Sequence, residues 1–153
     1  MGKYYSHNFI RSILTMNDLK FLTKKERDCL IAIGEFGKQE FPIRLVNLSE
    51  ILNIKSPTAL NLVTRLEKKK LVTRLKGMIN LTIRGTSFYH EIEENHRILE
   101  TLMVTYGMDL DRACTLAEQI DYLVDHSSID AMFLKLGKPS KCPHGRTIEQ
   151  IHD

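Results

Sequence analysis

The segment from Asn47 to Arg84 constrains the fold more than any other part of this sequence. It holds two short stretches of helical spacing, the first beginning after Asn47, a residue type favoured at a helix N-cap. Residues 53–55 interrupt the pattern, and Ser56-Pro57 restarts it. Proline is favoured in the first turn of a helix, where its missing N–H leaves no hydrogen bond unmade. Two short helices joined by a tight turn predict a helix-turn-helix.

The second of these helices is predicted to have two unlike faces. Leu60, Val63 and Leu66 recur at helical spacing and are expected to be buried. The opposite face is polar at its start and basic further along: Thr58, Asn61, Arg65, Lys68, Lys69. An exposed face of this kind is typical of a recognition helix that binds DNA.

A β-hairpin is predicted directly after the second helix. Residues 71–75 and 78–83 are rich in β-branched and apolar residues, and Lys76-Gly77 separates them. A glycine at the turn and a cation beside it are typical of the wing of a winged helix. The order of these elements favours a winged helix over an ordinary small helical domain.

The flanking sequence predicts further helices. Thr23-Lys24-Lys25-Glu26 is a capping box that opens a helix ending near Gly37, and residues 41–44 are expected to form an extended connector. After the wing, a long helix is predicted from Thr82 or Arg84 to near Gly107. Asp109 is expected to cap the next helix, and Ser127 to begin a last short one.

The predicted fold class is mainly α, with a small hairpin wing and a helical second domain. Residues 1–22 form an N-terminal extension with a short amphipathic series, and 23–84 form the winged helix. Residues 85–137 form the helical domain, and 138–153 form a C-terminal loop.

Composition narrows the class of protein. The 153 residues are 42% hydrophobic and carry a net charge of only +3, so nucleic-acid contact must come from local clustering of cations. The cations do cluster between Lys55 and Lys76. Three widely spaced cysteines argue against a disulfide framework and for a reducing compartment. No apolar run approaches the roughly 20 residues of a membrane span, so we expect a cytoplasmic protein.

Two polar stripes in the second half are candidates for metal binding. His96 and Glu100 lie one helical turn apart on the long helix. The following segment carries a stripe at intervals of four, three and four residues: Cys114, Glu118, Asp121, Asp125. If the two helices are antiparallel neighbours, an imidazole and several carboxylates converge, which suits Mn(II) or Fe(II). Acidic residues on a solvated helix face remain the alternative.

Several motifs in this order resemble the iron- and manganese-dependent repressors of the DtxR/MntR family. They are SPTALNLVTRLEKKKLV, a wing, LTIRG, ENHRILETLMVTYGMD and CPHG, and the resemblance as a whole covers roughly Thr23 to Ile148. The resemblance implies a winged helix joined to a helical domain for dimerisation and metal binding. It also implies a homodimer that represses metal-uptake genes by binding palindromic operators in double-stranded DNA when Mn(II) or Fe(II) is bound.

The resemblance also implies the metal ligands. Asp28, His96, Glu118 and Asp121 match the ligands of the family's main site. Tyr122 stands where histidine is usual, and Ile31 where some members carry a second acidic ligand. In members with an ancillary site, a glutamate matches Glu100 and a histidine falls on Cys114, whose thiolate can also bind metal.

On the DNA side, the residues matching the family's base-facing positions are Ser56, Pro57 and Asn61. Asparagine pairs well with adenine, and an apolar side chain can meet a thymine methyl. Three nearby cations and one hydroxyl are expected to contact phosphates: Arg44, Lys55, Arg65 and Thr58. Lys76 is expected to contact DNA from the wing.

Two other readings stay open. The first is a winged-helix regulator without metal control, constitutive or responsive to a small molecule or to thiol chemistry at Cys114. The second is an interaction module that does not read DNA sequence. An enzyme is the least favoured class, because no nucleophile arrangement or glycine-rich phosphate loop is visible in the sequence.

Overall fold

The computed structural model describes residues 21–38 and 42–149, which form two compact units, 22–89 and 90–149. The N-terminal amphipathic series predicted within residues 1–22 lies almost wholly outside the described residues. No helix among the described residues has the length and hydropathy needed to span a membrane. Each unit has its own core.

The first unit is a winged helix. Its elements in chain order are α1 (Lys24–Gly37), β1 (Ile43–Arg44), α2 (Leu45–Ile51), α3 (Ser56–Lys68), β2 (Val72–Leu75), β3 (Met78–Leu81) and the first part of α4 (Ile83–Thr105). The strands form an antiparallel sheet in the order β1-β3-β2. The mainly helical class and the winged helix-turn-helix are therefore confirmed.

Local signals in the sequence set several boundaries of this unit. Thr23 and Glu26 form the predicted capping box at the start of α1. The hairpin turns on Lys76 and Gly77, whose φ angles of 50° and 78° are both positive, as the favoured two-residue hairpin turn requires. The hydroxyl of Thr82 accepts the N–H of Gly85 at 2.9 Å and caps α4.

Three details differ from the sequence prediction. Ile43 and Arg44 are a strand rather than a connector, because they pair with β3. Helix α2 follows directly at Leu45, and Asn47 lies in its first turn, accepting the N–H of Arg44 at 3.4 Å. The third is the buried face of α3.

The buried face of α3 is rotated from the predicted one. Leu60 is 39% exposed, whereas Leu62 is 6% exposed. Ala59, Leu62, Val63 and Leu66 are the buried residues, and they follow the helical spacing equally well. The prediction that Leu60 is buried is wrong.

The second unit comprises the rest of α4, α5 (Leu110–Ile120), α6 (His126–Lys135) and a C-terminal segment from 136 to 149. Asp109 caps α5 as predicted, its carboxylate accepting the N–H of Arg112 at 3.1 Å. Asp125, rather than Ser127, caps α6 and accepts the N–H of Ser128 at 3.0 Å. The predicted helical stripe therefore stops before Asp125, because α5 ends at Ile120.

An apolar cluster packs the described part of this unit together. It draws on α4, α5, α6 and the C-terminal segment: Ile98, Leu99, Ala117, Ile129, Phe133, Cys142, Ile148. The C-terminal segment turns back on itself through a bridge between Lys141 and Thr147. It is thus part of the unit's core and is not a free tail over residues 138–149.

A candidate metal centre and a candidate DNA-binding face

His96 is the centre of a polar cluster in the second unit. Its Nδ1 lies 3.3 Å from Oδ2 of Asp121, and its Nε2 lies 3.3 Å from Oε2 of Glu100. The side chains of Asp121 and Glu100 are 0% and 1% exposed. One imidazole therefore bridges two buried carboxylates, one at each ring nitrogen.

Cys114 completes the cluster on the Nε2 side. Its Sγ lies 3.6 Å from Nε2 of His96. Ligand atoms of His96, Glu100 and Cys114 all lie within 4.8 Å of one another, so the three could hold one metal ion. Burial and the charges of Glu100 and Glu118 raise the pKa of the Cys114 thiol, which therefore keeps its proton at neutral pH in the absence of a cation.

Glu100 has a second histidine neighbour that the sequence interpretation missed. Nδ1 of His144 lies 2.9 Å from both carboxylate oxygens of Glu100. His144 belongs to the Cys-Pro-His-Gly motif, which by itself looks more like a turn than a site. The motif was visible in the sequence, but its proximity to Glu100 depends on the folding-back of the C-terminal segment.

Neighbouring contacts fix the cluster in place. The side-chain amide of Asn95, 2% exposed, donates to the backbone carbonyl of Asp121 at 2.8 Å. Arg97 donates to the carbonyl of Thr147 at 3.0 Å and so ties the segment carrying His144 to α4. Cys142 is buried in the apolar cluster, which makes its thiol part of the packing. The sequence interpretation did not single out Asn95.

The remaining predicted ligands are not members of this three-residue group, although Asp121 contacts His96 and the charge of Glu118 acts on Cys114. Glu118 is partly buried in α5, and its carboxylate makes no hydrogen bond or ion pair within the described ranges. Asp28 lies in the winged-helix unit, where it pairs with Lys24 and, at 3.1 Å, with Arg27. Participation of Asp28, Glu118 and Asp121 as ligands stays a prediction.

Tyr122, which stands where the family usually has histidine, is 8% exposed. Ile31 is partly buried in α1. Neither a phenol nor an aliphatic side chain supplies the imidazole or carboxylate ligand that family members have at these positions.

The candidate DNA-binding face lies on α3 and the sheet. All the residues predicted to contact DNA are exposed: Arg44, Lys55, Ser56, Pro57, Thr58, Asn61, Arg65, Lys76. Leu62 turns inward, so the outward face from Ser56 to Asn61 is short-chained and polar except for Pro57 and Leu60. Such a surface allows close approach to base edges in a major groove.

Buried Glu26 in α1 fixes the basic end of this face. Its Oε2 accepts the Lys69 ammonium at 2.8 Å and the backbone N–H of Thr23 at 2.7 Å, and its Oε1 lies 3.0 Å from Nε of Arg65. Burial by itself would raise the pKa of Glu26, but the hydrogen bonds from Lys69 and Thr23 outweigh it and lower the pKa. Glu26 is therefore ionised and holds α1 to α3.

Comparisons with known proteins point to one class. Residues 82–150 match the family model of the iron dependent repressor metal binding and dimerisation domain. No functionally curated protein matches the sequence significantly.

Solved structures are similar over most of the chain. A hypothetical protein from Sulfolobus solfataricus is 31% identical, with a TM-score of 0.74, over 84% of this chain and 100% of that one. The manganese regulator SloR is 26% identical, with a TM-score of 0.72, over 82% of this chain and 59% of its own. A manganese-dependent transcriptional repressor solved with manganese is 27% identical, with a TM-score of 0.67, over 82% and 58%. The chain belongs to the DtxR/MntR family of metal-dependent transcriptional regulators.

Proposed function

We propose that the protein is a dimeric repressor that binds a palindromic operator when a divalent metal is bound. The observation that carries the proposal is the combination of an exposed α3 face with a buried His-Glu-Cys cluster on α4 and α5. Helix α4 runs from the wing into the metal-binding unit without a break. Manganese and iron, the metals of related regulators, are the first candidates.

In this proposal, metal binding selects one arrangement of the two recognition helices in the dimer. A dimer that matches two half-sites about one helical turn apart gains affinity from both at once. The metal then binds the arrangement that fits the operator more tightly than the other arrangements. A ligand can shift a conformational equilibrium only by such a difference in affinity. Asp28, Glu118 and Asp121 are proposed to contribute with His96, in line with the family's main site.

The test is operator binding with and without metal. An operator is first selected from random-sequence duplexes in the presence of Mn(II) or Fe(II), and affinity is then measured by fluorescence anisotropy. We expect tighter binding with metal, and loss of that gain in His96→Ala. The matched control is His126→Ala, because His126 pairs with Asp130 on α6 and is not part of the cluster. Equal affinity with and without metal would remove the switch and leave the DNA binding.

A regulator without metal control is the second candidate, and Tyr122 is the observation that favours it. Loss of the usual imidazole removes one ligand from the family's main site. Elemental analysis of protein purified without a chelator or an affinity tag separates the two candidates. Substoichiometric metal together with full operator affinity would select the second.

A further inference from the structure

Leu60 is an apolar side chain on the outward side of the recognition helix α3. It is 39% exposed, whereas Leu62, two positions further on, is 6% exposed and packs inward. Helix α3 thus supplies its share of the core of the winged helix without Leu60: the buried residues are Ala59, Leu62, Val63 and Leu66. A single exposed apolar side chain is common on protein surfaces, so the position of Leu60 on the helix decides what it can bind.

The first two turns of α3 place Leu60 beside two residues that are predicted to contact bases. Pro57 stands three positions before it and Asn61 directly follows it, and both are exposed. Residues three or four apart are neighbours on a helix surface, so Pro57 borders both Leu60 and Asn61. Long side chains on a helix lean toward its N-terminus, so Leu60 and Asn61 extend over the first turn of α3. That is the end of a recognition helix that contacts base edges in the major groove.

The cations of α3 lie further along the helix. Residues 56–64 contain no lysine or arginine, and the first cation is Arg65, whose Nε lies 3.0 Å from Oε1 of buried Glu26. Arginine and lysine are the side chains that bind O6 and N7 of guanine, whereas asparagine suits adenine and an apolar group suits the C5-methyl of thymine. The side chains of the first two turns therefore favour A·T pairs over G·C pairs.

We propose that Leu60 is a specificity-determining residue that contacts the C5-methyl group of a thymine, next to the adenine that Asn61 is proposed to bind. The DNA ligand is then a half-site whose core is rich in A·T pairs. The contact buries a methyl group that cytosine lacks, so it selects thymine at a position where Asn61 makes no hydrogen bond. The inference deepens the proposed function, since it rests on operator binding by α3, but it does not depend on control by metal.

Base analogues test the contact one methyl group at a time. An operator is selected from random-sequence duplexes, and each thymine of one half-site is replaced in turn by uracil, which lacks only the C5-methyl. The affinity of the intact protein for each duplex is measured by fluorescence anisotropy under the conditions of the selection. We expect a thymine in the core of the half-site where uracil weakens binding about 4-fold, the effect of taking one methyl-sized group out of an apolar contact.

Leu60→Ala identifies the residue that makes the contact. At the sensitive position this variant should bind the thymine and uracil duplexes equally. A C·G pair placed there gives a second readout: the wild type should prefer 5-methylcytosine over cytosine about 4-fold, and Leu60→Ala should not. Ile83→Ala is the matched control, because Ile83 is an apolar residue, 66% exposed, at the start of α4; it should keep the full preference for the methyl group. Circular dichroism confirms that each variant is folded.

The outcomes separate this inference from the proposed function. A methyl preference that survives Leu60→Ala, or one that is lost in Ile83→Ala as well, would overturn the assignment to Leu60. An operator core without a uracil-sensitive thymine would overturn it too, and would leave metal-dependent operator binding untouched. Operator binding that ignores metal but shows the preference lost in Leu60→Ala keeps the inference and removes the switch. Failure of the selection to yield any operator would remove both.

Discussion

Glu26→Gln is the perturbation that best tests how the recognition helix is held. The side chain of Glu26 is fully buried, whereas its partners Lys69 and Arg65 are 17% and 53% exposed. Glutamine keeps the shape and one oxygen acceptor, so the capping box with Thr23 can persist. What it removes is the negative charge between α1 and α3.

The expected cost follows from the number of charged contacts and from their burial. A hydrogen bond to a charged group contributes about 1.5–3 kcal/mol and a neutral one about 0.5–1.5 kcal/mol, so the Lys69 contact loses about 1 kcal/mol. Arg65 is half exposed and forms an ion pair without a hydrogen bond to Oε1, which adds up to about 1 kcal/mol. The total is up to about 2 kcal/mol. This is below the roughly 3–5 kcal/mol of a fully buried broken pair, because Lys69 and Arg65 can still reach water. For a protein of this size, about 2 kcal/mol lowers Tm by roughly 4–8 °C.

Urea and thermal unfolding followed by circular dichroism measure this change. Glu67→Gln is the matched control, because Glu67 pairs with Arg74 on the surface, where the side chains are 29% and 37% exposed. An exposed pair contributes about 0.2–1 kcal/mol, so the control should lower Tm by no more than roughly 4 °C. Equal effects of the two substitutions would refute the view that buried Glu26 joins α1 to α3.

Three further outcomes are expected. The folded protein lowers the pKa of Glu26 below its ordinary value of 4.5, so the ionised carboxylate stabilises the fold above that pH. The free energy of unfolding should therefore fall as the pH drops below about 4.5. This fall should be less steep in Glu26→Gln. Gly77→Ala should lower the free energy of unfolding by about 1 kcal/mol, because Gly77 has a φ of 78°. Gly37→Ala is the control, because Gly37 lies in a helix with open space around it, and this substitution should cost nothing measurable. Asn61→Ala should lose about 1–3 kcal/mol of discrimination at one operator base pair in anisotropy competition, with an unchanged salt dependence; a uniform loss over all sequences would contradict base reading by Asn61.

The predictable features of the fold are those set by neighbours in the chain. Thr23 with Glu26, Asp109 before α5 and Lys76-Gly77 in the wing act through hydrogen bonds or φ angles within a few residues, so their sequence patterns suffice. The face of α3 was less predictable. Leu60 and Leu62 are both apolar, and only the packing of α3 against the rest of the unit decides that Leu62 is buried.

The end of α5 shows the same limit. The acidic pattern continues through Asp125, but the carbonyls of Asp121 and Val124 accept the side-chain amide of Asn95, at 2.8 and 3.4 Å. That contact comes from a residue more than twenty positions away in the chain. It satisfies carbonyls in the turn after α5, so the chain can leave the helix before Asp125.

The sequence by itself determined the winged helix, the long helix that follows it and the family, because caps, turns and helical spacing are local. It also identified His96, Glu100 and Cys114 as polar residues on two helices. Only the tertiary structure decided that these three face one another, that Asp121 lies at the other nitrogen of His96, and that His144 lies against Glu100. The physical reason is that donor separations of 3–4 Å depend on the packing of α4, α5 and the C-terminal segment, and no local pattern specifies that packing.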